Sequence, residues 1–239
     1  MGSSNNATAE VSTYQPVANE YICKILNTEM LTHNVKRFRV QKPHGYTFKS
    51  GQATDVSINK KFLEGELRPF TFTSINGSEY LEFTIKIYKG HDGITEKLEQ
   101  ISTGDELILH DVFGTITYKG PGLFIAGGAG ITPFISIFRQ LRSEGRLTGN
   151  TLLFANRTAD DIIIGDELRD MLGGNYQDVL EMPNDSAESG RVIDRQLLGG
   201  YVSNSNEYYY ICGPDKFTAT MVEYLHSLGV SKSRIIIEE

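Results

Sequence analysis

The sequence offers little that could hold a metal. Its 239 residues include two cysteines, Cys23 and Cys212, far apart and in no C-x-x-C pair, so thiolates cannot build a zinc site or an iron–sulfur cluster. The five histidines, His33, His44, His91, His110 and His226, show no H-E-x-x-H spacing. Metal chemistry is left without ligands. Long apolar runs are missing as well. The most apolar stretch, residues 122–138, is broken by four glycines and a proline, whereas a membrane span needs about 20 continuous apolar residues. No secretory leader is legible, which makes the cytoplasm the expected compartment. A net charge of −7 and ordinary hydrophobicity give no reason to expect a nucleic-acid or membrane partner.

What is present is organised around that same stretch. Leu123-Phe124-Ile125-Ala126 reads as a buried strand, Gly127-Gly128-Ala129-Gly130 as a tight turn, and Ile131-Thr132-Pro133 as the opening of an amphipathic helix. Thr132 is expected to cap that helix and Pro133 to occupy its first position. Glycines in such a turn let backbone amides approach a pyrophosphate at a helix N-terminus. The spacing departs from G-x-G-x-x-G, since Pro133 stands where the third glycine belongs. A buried strand-turn-helix with no ligand is the competing reading.

The rhythm of the chain divides it. Residues 1–16 are small, polar and aperiodic, and are expected to be a disordered or tag-derived tail. Residues 17–112 read as short strands at regular intervals: Tyr21 to Leu26, Val35 to Val40, Gly51 to Asn59, Pro69 to Ile75, Tyr80 to Tyr88 and Glu106 to Asp111. One short helix, Thr95 to Gln100, interrupts them. This predicts an antiparallel β-barrel. Residues 113–239 alternate strand and helix. The strands are Leu123 to Ala126, Thr151 to Asn156, Tyr208 to Cys212 and Arg234 to Ile237; the helices are Pro133 to Glu144, Asp166 to Leu172 and Lys216 to Leu228. That alternation predicts an α/β domain with a parallel sheet. Phe134, Ile137, Phe138 and Leu141 form one helical stripe, and Phe217, Met221, Leu225 and Leu228 another; both are expected in the core.

Two stretches of the barrel half carry chemistry. Arg68-Pro69-Phe70-Thr71 puts a cation, an aromatic and a hydroxyl on one strand, period two setting Arg68, Phe70 and Phe72 on one face. Lys86-Ile87-Tyr88 precedes Gly93-Ile94-Thr95, a glycine and hydroxyl opening a helix, which is a second anion site. Two phosphate-type sites, one per half, invite two nucleotide cofactors.

Taken in order, Gly51-Gln52, Arg68-Pro69-Phe70-Thr71, Lys86 with Gly93-Ile94-Thr95, Gly127 to Pro133, and Cys212-Gly213-Pro214 resemble the ferredoxin–NADP reductase superfamily over about residues 17–239. Within it the chain most resembles the short bacterial flavodoxin/ferredoxin reductases without a fused iron–sulfur domain. The resemblance implies FAD in the barrel and NADPH or NADH on the α/β domain. It implies that Arg68 pairs with the FAD pyrophosphate, that Phe70 stacks on the flavin in place of the usual tyrosine, and that the Thr71 hydroxyl sits near flavin N5. Gly93, Ile94 and Thr95 would serve the same pyrophosphate. Gly128, Gly130 and Thr132, with Ile131 and Pro133, would form the NAD(P) pyrophosphate loop, and Cys212-Gly213-Pro214 the turn setting nicotinamide against flavin.

At the end, Ile237-Glu238-Glu239 supplies a carboxylate, Glu238, where relatives carry glutamate, but no terminal aromatic; the expectation is a flavin face more open to oxygen unless another group covers it. Arg157, in Asn156-Arg157-Thr158, would suit a 2′-phosphate, while the acidic Glu181-Met182-Pro183-Asn184-Asp185 would repel one, so the nicotinamide preference stays open. The expected activity is reduction of a flavodoxin or ferredoxin, with no general base required. The alternatives are a reductase component of an oxygenase or a ferric/flavin reductase, and a non-catalytic FAD relay subunit. Residues 36–61 carry Lys36, Arg37, Arg39, Lys42, Lys49, Lys60 and Lys61 against one acid, Asp55. This is a candidate dock for an acidic carrier around Lys36, Arg37, Arg39, Lys60 and Lys61.

Overall fold

In the barrel half, apolar side chains recur at every second position and turn inward. In β2 (Val35–Gln41), Phe38 and Val40 are fully buried, while Arg37 and Arg39 stay partly open. The computed structural model describes residues 20–114, 116–182, 190–202 and 208–238. The expected tail and residues 183–185 of the acidic stretch lie outside these.

The first six strands are β1 (Tyr21–Thr32), β2, β3 (Ala53–Ile58), β4 (Arg68–Thr71), β5 (Tyr80–Lys86) and β6 (Glu106–Phe113). They form one sheet of order β4-β3-β6-β1-β2-β5, every pairing antiparallel. Just past β4, Phe72 bridges Phe83 of β5 and closes the sheet on itself. Phe38, Phe72 and Phe83 fill the interior, with Phe48 stacked on Phe72 at a centroid distance of 4.1 Å. A short helix, α1 (Ile94–Glu99), covers one opening with Ile94 and Leu98 buried.

From Gly122 the pattern becomes strand and helix: β7 (Gly122–Gly127), α2 (Thr132–Ser143), β8 (Thr151–Asn156), α3 (Gly165–Leu172), β9 (Tyr176–Leu180), α4 (Arg195–Gly199), β10 (Tyr208–Cys212), α5 (Asp215–Ser227) and β11 (Ile235–Ile237). The strands form a parallel sheet of order β11-β10-β7-β8-β9. β7 is buried at every residue because helices cover both faces. The α2 stripe is core as expected: Phe134, Ile137, Phe138 and Leu141 are each at most 2% exposed. Burial of each of those side chains stabilises the fold by roughly 1.5–3 kcal/mol relative to exposure.

Two features escaped the sequence pattern. β9 and α4 carry weak signals: β9 is an edge strand with Val179 alone fully buried, and α4 spans five residues. The cap expected of Thr132 is not made. A single 3-10 turn, Gly128–Ile131, precedes α2, so Ile131 becomes the capping residue, and the Thr132 hydroxyl turns back to donate to the Ala129 carbonyl at 3.0 Å.

Candidate active site between the two sheets

In a parallel sheet the C-terminal strand ends share one edge, and ligands bind outside it. All five ends here open into a single cleft of about 860 Å³. β7 contributes Gly127 to Gly130, β8 Asn156 and Arg157, β9 Glu181 and Met182, β10 Cys212-Gly213-Pro214, and β11 Glu238. The barrel forms the other wall with Pro69, Phe70 and Thr71 of β4, Thr84 and Lys86 of β5, Thr95 of α1, and the β1–β2 turn at His33 and Asn34. The turn leans on the second half: Leu31 and Val35 pack into the core under α2, and His33 Nε2 lies 3.8 Å from Asp161 Oδ1.

Most residues singled out from sequence meet here, each placed by its element. Thr71 is the last residue of β4, half-buried, because the chain then turns Phe72 into the barrel. Phe70 is half-buried against the barrel core with one face to the cleft. Lys86 ends β5, with its ammonium 5.9 Å from the ring of the exposed Tyr88. Asn156 ends β8 at 5% exposure with neither its amide nitrogen nor its amide oxygen partnered. A buried, orphaned amide in a cleft wall is what a bound polar ligand would satisfy.

The glycine turn has two separate physical reasons. Gly128 adopts φ +52° with open space about it, a conformation that costs other residues energy. Gly130 needs no unusual φ; a Cβ there would sit 2.3 Å from the Cys212 carbonyl oxygen and 2.5 Å from the Gly213 nitrogen. Its absent side chain therefore lets the β7 and β10 loops touch, a reason distinct from room for a phosphate. Phe217, expected purely as core, packs beside Gly127 and Gly213 and also lines the cleft.

The cysteine and glutamate of the second half do meet. Cys212, 6% exposed, donates its thiol to Glu238 Oε2 at 3.7 Å. Burial, then the Glu238 charge, pushes the thiol far above its ordinary value, so it stays protonated at neutral pH.

Other expected residues sit elsewhere. Arg68 is exposed and donates to its neighbour Leu67's carbonyl. Ile87, Ile94 and Ile131 are core side chains, and Pro133 is buried, so only their backbones could face a ligand. Gly93 is the capping residue of α1 with no side-chain cap. The preceding loop spends its amides internally, because Gly90, His91 and Asp92 all donate to the Glu96 carboxylate. Those bonds hold Glu96 below the usual carboxylate range, the Gly90 bond foremost.

The basic stretch is spent in part on contacts within the protein, which takes Lys36 out of the expected dock. Lys36 is 7% exposed, and its ammonium donates to the carbonyls of Leu98, Glu99 and Ile101 at 3.4, 2.7 and 2.6 Å, closing the C-terminal end of α1. It cannot meet a partner. Arg37 pairs with Glu29 and Arg39 with Glu82. Lys60, half-exposed, bonds Asp105 at 3.0 Å.

The groups facing the cleft, Lys86 with Thr95 on one wall and Arg157 with the Gly128 to Gly130 turn on the other, suit phosphates on both sides, and the orphaned Asn156 amide awaits a polar partner. The residues fit two dinucleotides. Residues 21–122 match the FAD-binding domain family and residues 124–223 the oxidoreductase NAD-binding domain family. The chain is 28% identical over 238 residues to the reductase component of propane 2-monooxygenase from Rhodococcus jostii, covering 90% of this chain and 62% of that one. It is 28% identical over 195 residues to the NADH oxidoreductase HCR of Escherichia coli, covering 78% and 58%. It thus spans about three fifths of the length of these curated relatives. A ferredoxin NADP+ reductase from Neisseria gonorrhoeae, solved with FAD and NADP, superposes with TM-score 0.78 at 20% identity over 92% of this chain and 98% of that one. Among the described residues no helix is long and apolar enough to cross a membrane. With an FAD-binding domain followed directly by an oxidoreductase NAD-binding domain, their sheets meeting at one cleft, the chain has the two-domain fold of the ferredoxin–NADP reductases.

Proposed function

We propose that the chain is an NAD(P)H-dependent FAD reductase that takes a hydride from a reduced nicotinamide dinucleotide and passes electrons on to a separate acceptor. One observation carries this reading: the Thr71 end of β4 and the Cys212-Gly213-Pro214 turn of β10 line the same cleft from opposite sheets. Bound FAD supplies the capacity to accept two electrons as hydride and to release them one at a time.

The chain's own residues bind and orient. Lys86 and the Thr95 hydroxyl face the place of the FAD pyrophosphate, and the planar fork of Arg68, exposed at the start of β4 and turned to the Leu67 carbonyl, would have to swing over to join them. Phe70 offers its ring to the flavin, and Thr71 its hydroxyl to the reacting edge. The turn at Gly128 to Thr132 holds the second pyrophosphate, with Asn156 and Arg157 beside it at the end of β8. Cys212, kept neutral, offers an uncharged wall to the nicotinamide, and Glu238 holds the thiol in place. The rings must approach to roughly 3–3.5 Å, which the facing walls permit only if both halves keep their relative position.

The test is direct. The purified protein should be yellow, and either NADH or NADPH, added without oxygen, should bleach it; the faster of the two identifies the donor. A colourless protein that takes up no added FAD would overturn the reading. A non-catalytic relay subunit would hold FAD yet bleach with neither nucleotide.

For the acceptor, an acidic flavodoxin or ferredoxin docking at Lys60 and Lys61 is one reading. An oxygenase partner is the second, favoured by the similarity over nine tenths of the chain to an oxygenase reductase component. A panel of ferredoxin, flavodoxin, cytochrome b5, free flavin and ferric chelate as acceptors separates them.

A further inference from the structure

The two sheets are also joined by a buried charge network that lines no part of the cleft. Glu82 of β5 is 1% exposed. Its Oε1 accepts from Arg139 Nη1 of α2 at 2.6 Å and from the Thr73 hydroxyl at 3.0 Å; its Oε2 accepts from Arg39 Nε at 3.0 Å. Arg139 Nη1 also donates to the Thr73 carbonyl at 2.8 Å, while its Nε and Nη2 grip Glu167 of α3 at 2.6 and 2.8 Å. One turn earlier on the same helix face, Ser136 donates to the Ser74 carbonyl at 2.8 Å. Two side chains of α2 thereby hold two consecutive carbonyls of the barrel.

The location of those carbonyls matters. Thr73 lies two residues beyond Thr71, and Ser136 lies one helical turn beyond Thr132. The network is therefore a short, stiff link between the strand end at one wall of the cleft and the glycine turn at the other. Resting on the function proposed above, we propose that Arg139 and Glu82 are positioning residues that fix the separation of the nicotinamide from the flavin. Neither touches a cofactor; they act through α2 and β4. The forked geometry matters because Nη1 alone bonds both Glu82 and the Thr73 carbonyl while Nε and Nη2 face Glu167, four bonds in all where an ammonium has three donors. A misplacement of about 1 Å between reacting groups can cost about a hundredfold in rate.

The experiment uses the FAD-loaded protein. Arg139→Lys and Glu82→Gln should slow anaerobic bleaching at saturating nicotinamide by about tenfold or more. FAD content, nucleotide affinity and ferricyanide oxidation of the dithionite-reduced protein should stay at wild-type values. Ser136→Ala, which leaves no buried charge unpaired, guards against misfolding of the first two and should slow bleaching about threefold, a smaller loss because one neutral bond goes. Glu167→Gln, which leaves the link to the barrel intact, should bleach at the wild-type rate. Wild-type rates in Arg139→Lys, Glu82→Gln and Ser136→Ala, or an equal loss in Glu167→Gln, would overturn the proposal. Spin labels on exposed Lys49→Cys and Lys216→Cys, one per half, give a second readout that needs no catalysis. Their distance distribution should broaden in Arg139→Lys, and an unchanged distribution overturns the link. A wild-type protein that binds FAD but is not bleached would refute the proposed function, and the spin-label distances would then decide the link alone.

Discussion

The Cys212 thiol and the Glu238 carboxylate, at the ends of neighbouring strands β10 and β11, form a hydrogen bond of 3.7 Å inside the cleft. Because burial and then the Glu238 charge raise the thiol's pKa, native Cys212 should react with a thiolate-selective reagent far more slowly at pH 7 than the unfolded chain does. Rapid labelling of the folded protein would contradict that. Cys212→Ala should retain FAD and bleach about tenfold or more slowly.

Gly130 and Gly128 should respond unequally to alanine. At Gly130 the new Cβ meets the Cys212 carbonyl and Gly213 nitrogen, both backbone, so the β7 and β10 loops must part. Gly130→Ala should abolish nicotinamide-driven bleaching while the protein stays yellow. Gly128→Ala meets open space and is penalised only by its positive φ, costing about 1 kcal/mol. Titration of each variant with nicotinamide under anaerobic conditions checks the order, and equal effects would refute it.

Glu82 gives the protein a pH dependence whose sign is fixed. Burial acts to raise its carboxyl, but Arg139's charge and the hydrogen bonds from Arg139, Arg39 and Thr73 outweigh it, leaving the folded value below the ordinary 4.5. A depressed carboxyl stabilises fully above its unfolded value and loses that stabilisation as pH falls through the folded one. The stability gap between wild type and Glu82→Gln, measured by urea unfolding, should be level from neutral pH down to about 5 and shrink only in stronger acid. A gap that grows in acid would reverse the sign.

Tyr210 fastens the chain between the two halves. Its hydroxyl accepts from the Lys119 and Gly120 amides at 2.9 and 3.0 Å and donates to the Gly120 carbonyl at 2.7 Å. Tyr210→Phe leaves three backbone groups without that partner and should cost at least about 2 kcal/mol, read as a lower denaturation midpoint. Unchanged stability would mean that water replaces the hydroxyl.

Charge reversal at Lys60 and Lys61 tests the carrier dock. The double glutamate variant should reduce an acidic carrier more weakly while ferricyanide reduction stays intact, and the difference should fade in high salt. Equal loss with both acceptors would move the dock elsewhere.

The sequence by itself determined the two-part architecture. Alternation at period two and the later strand-helix rhythm are local properties of each segment, set by which side chains must leave water. The glycine turn, the β4 segment and the Cys212 turn were legible for the same reason, being contiguous. Tertiary structure decided what contiguous residues cannot express. It buried Lys36 against the end of α1, because an ammonium there satisfies three carbonyls; the basic pattern around it reads the same whether that charge faces solvent or not. It gave Gly130 its reason through a carbonyl 82 residues away in β10. It paired Glu82 with Arg139 across the two sheets, a contact between residues 57 apart. Local periodicity fixes which face a side chain leaves by; only closure of the barrel and its docking on α2 fix what waits on the other side.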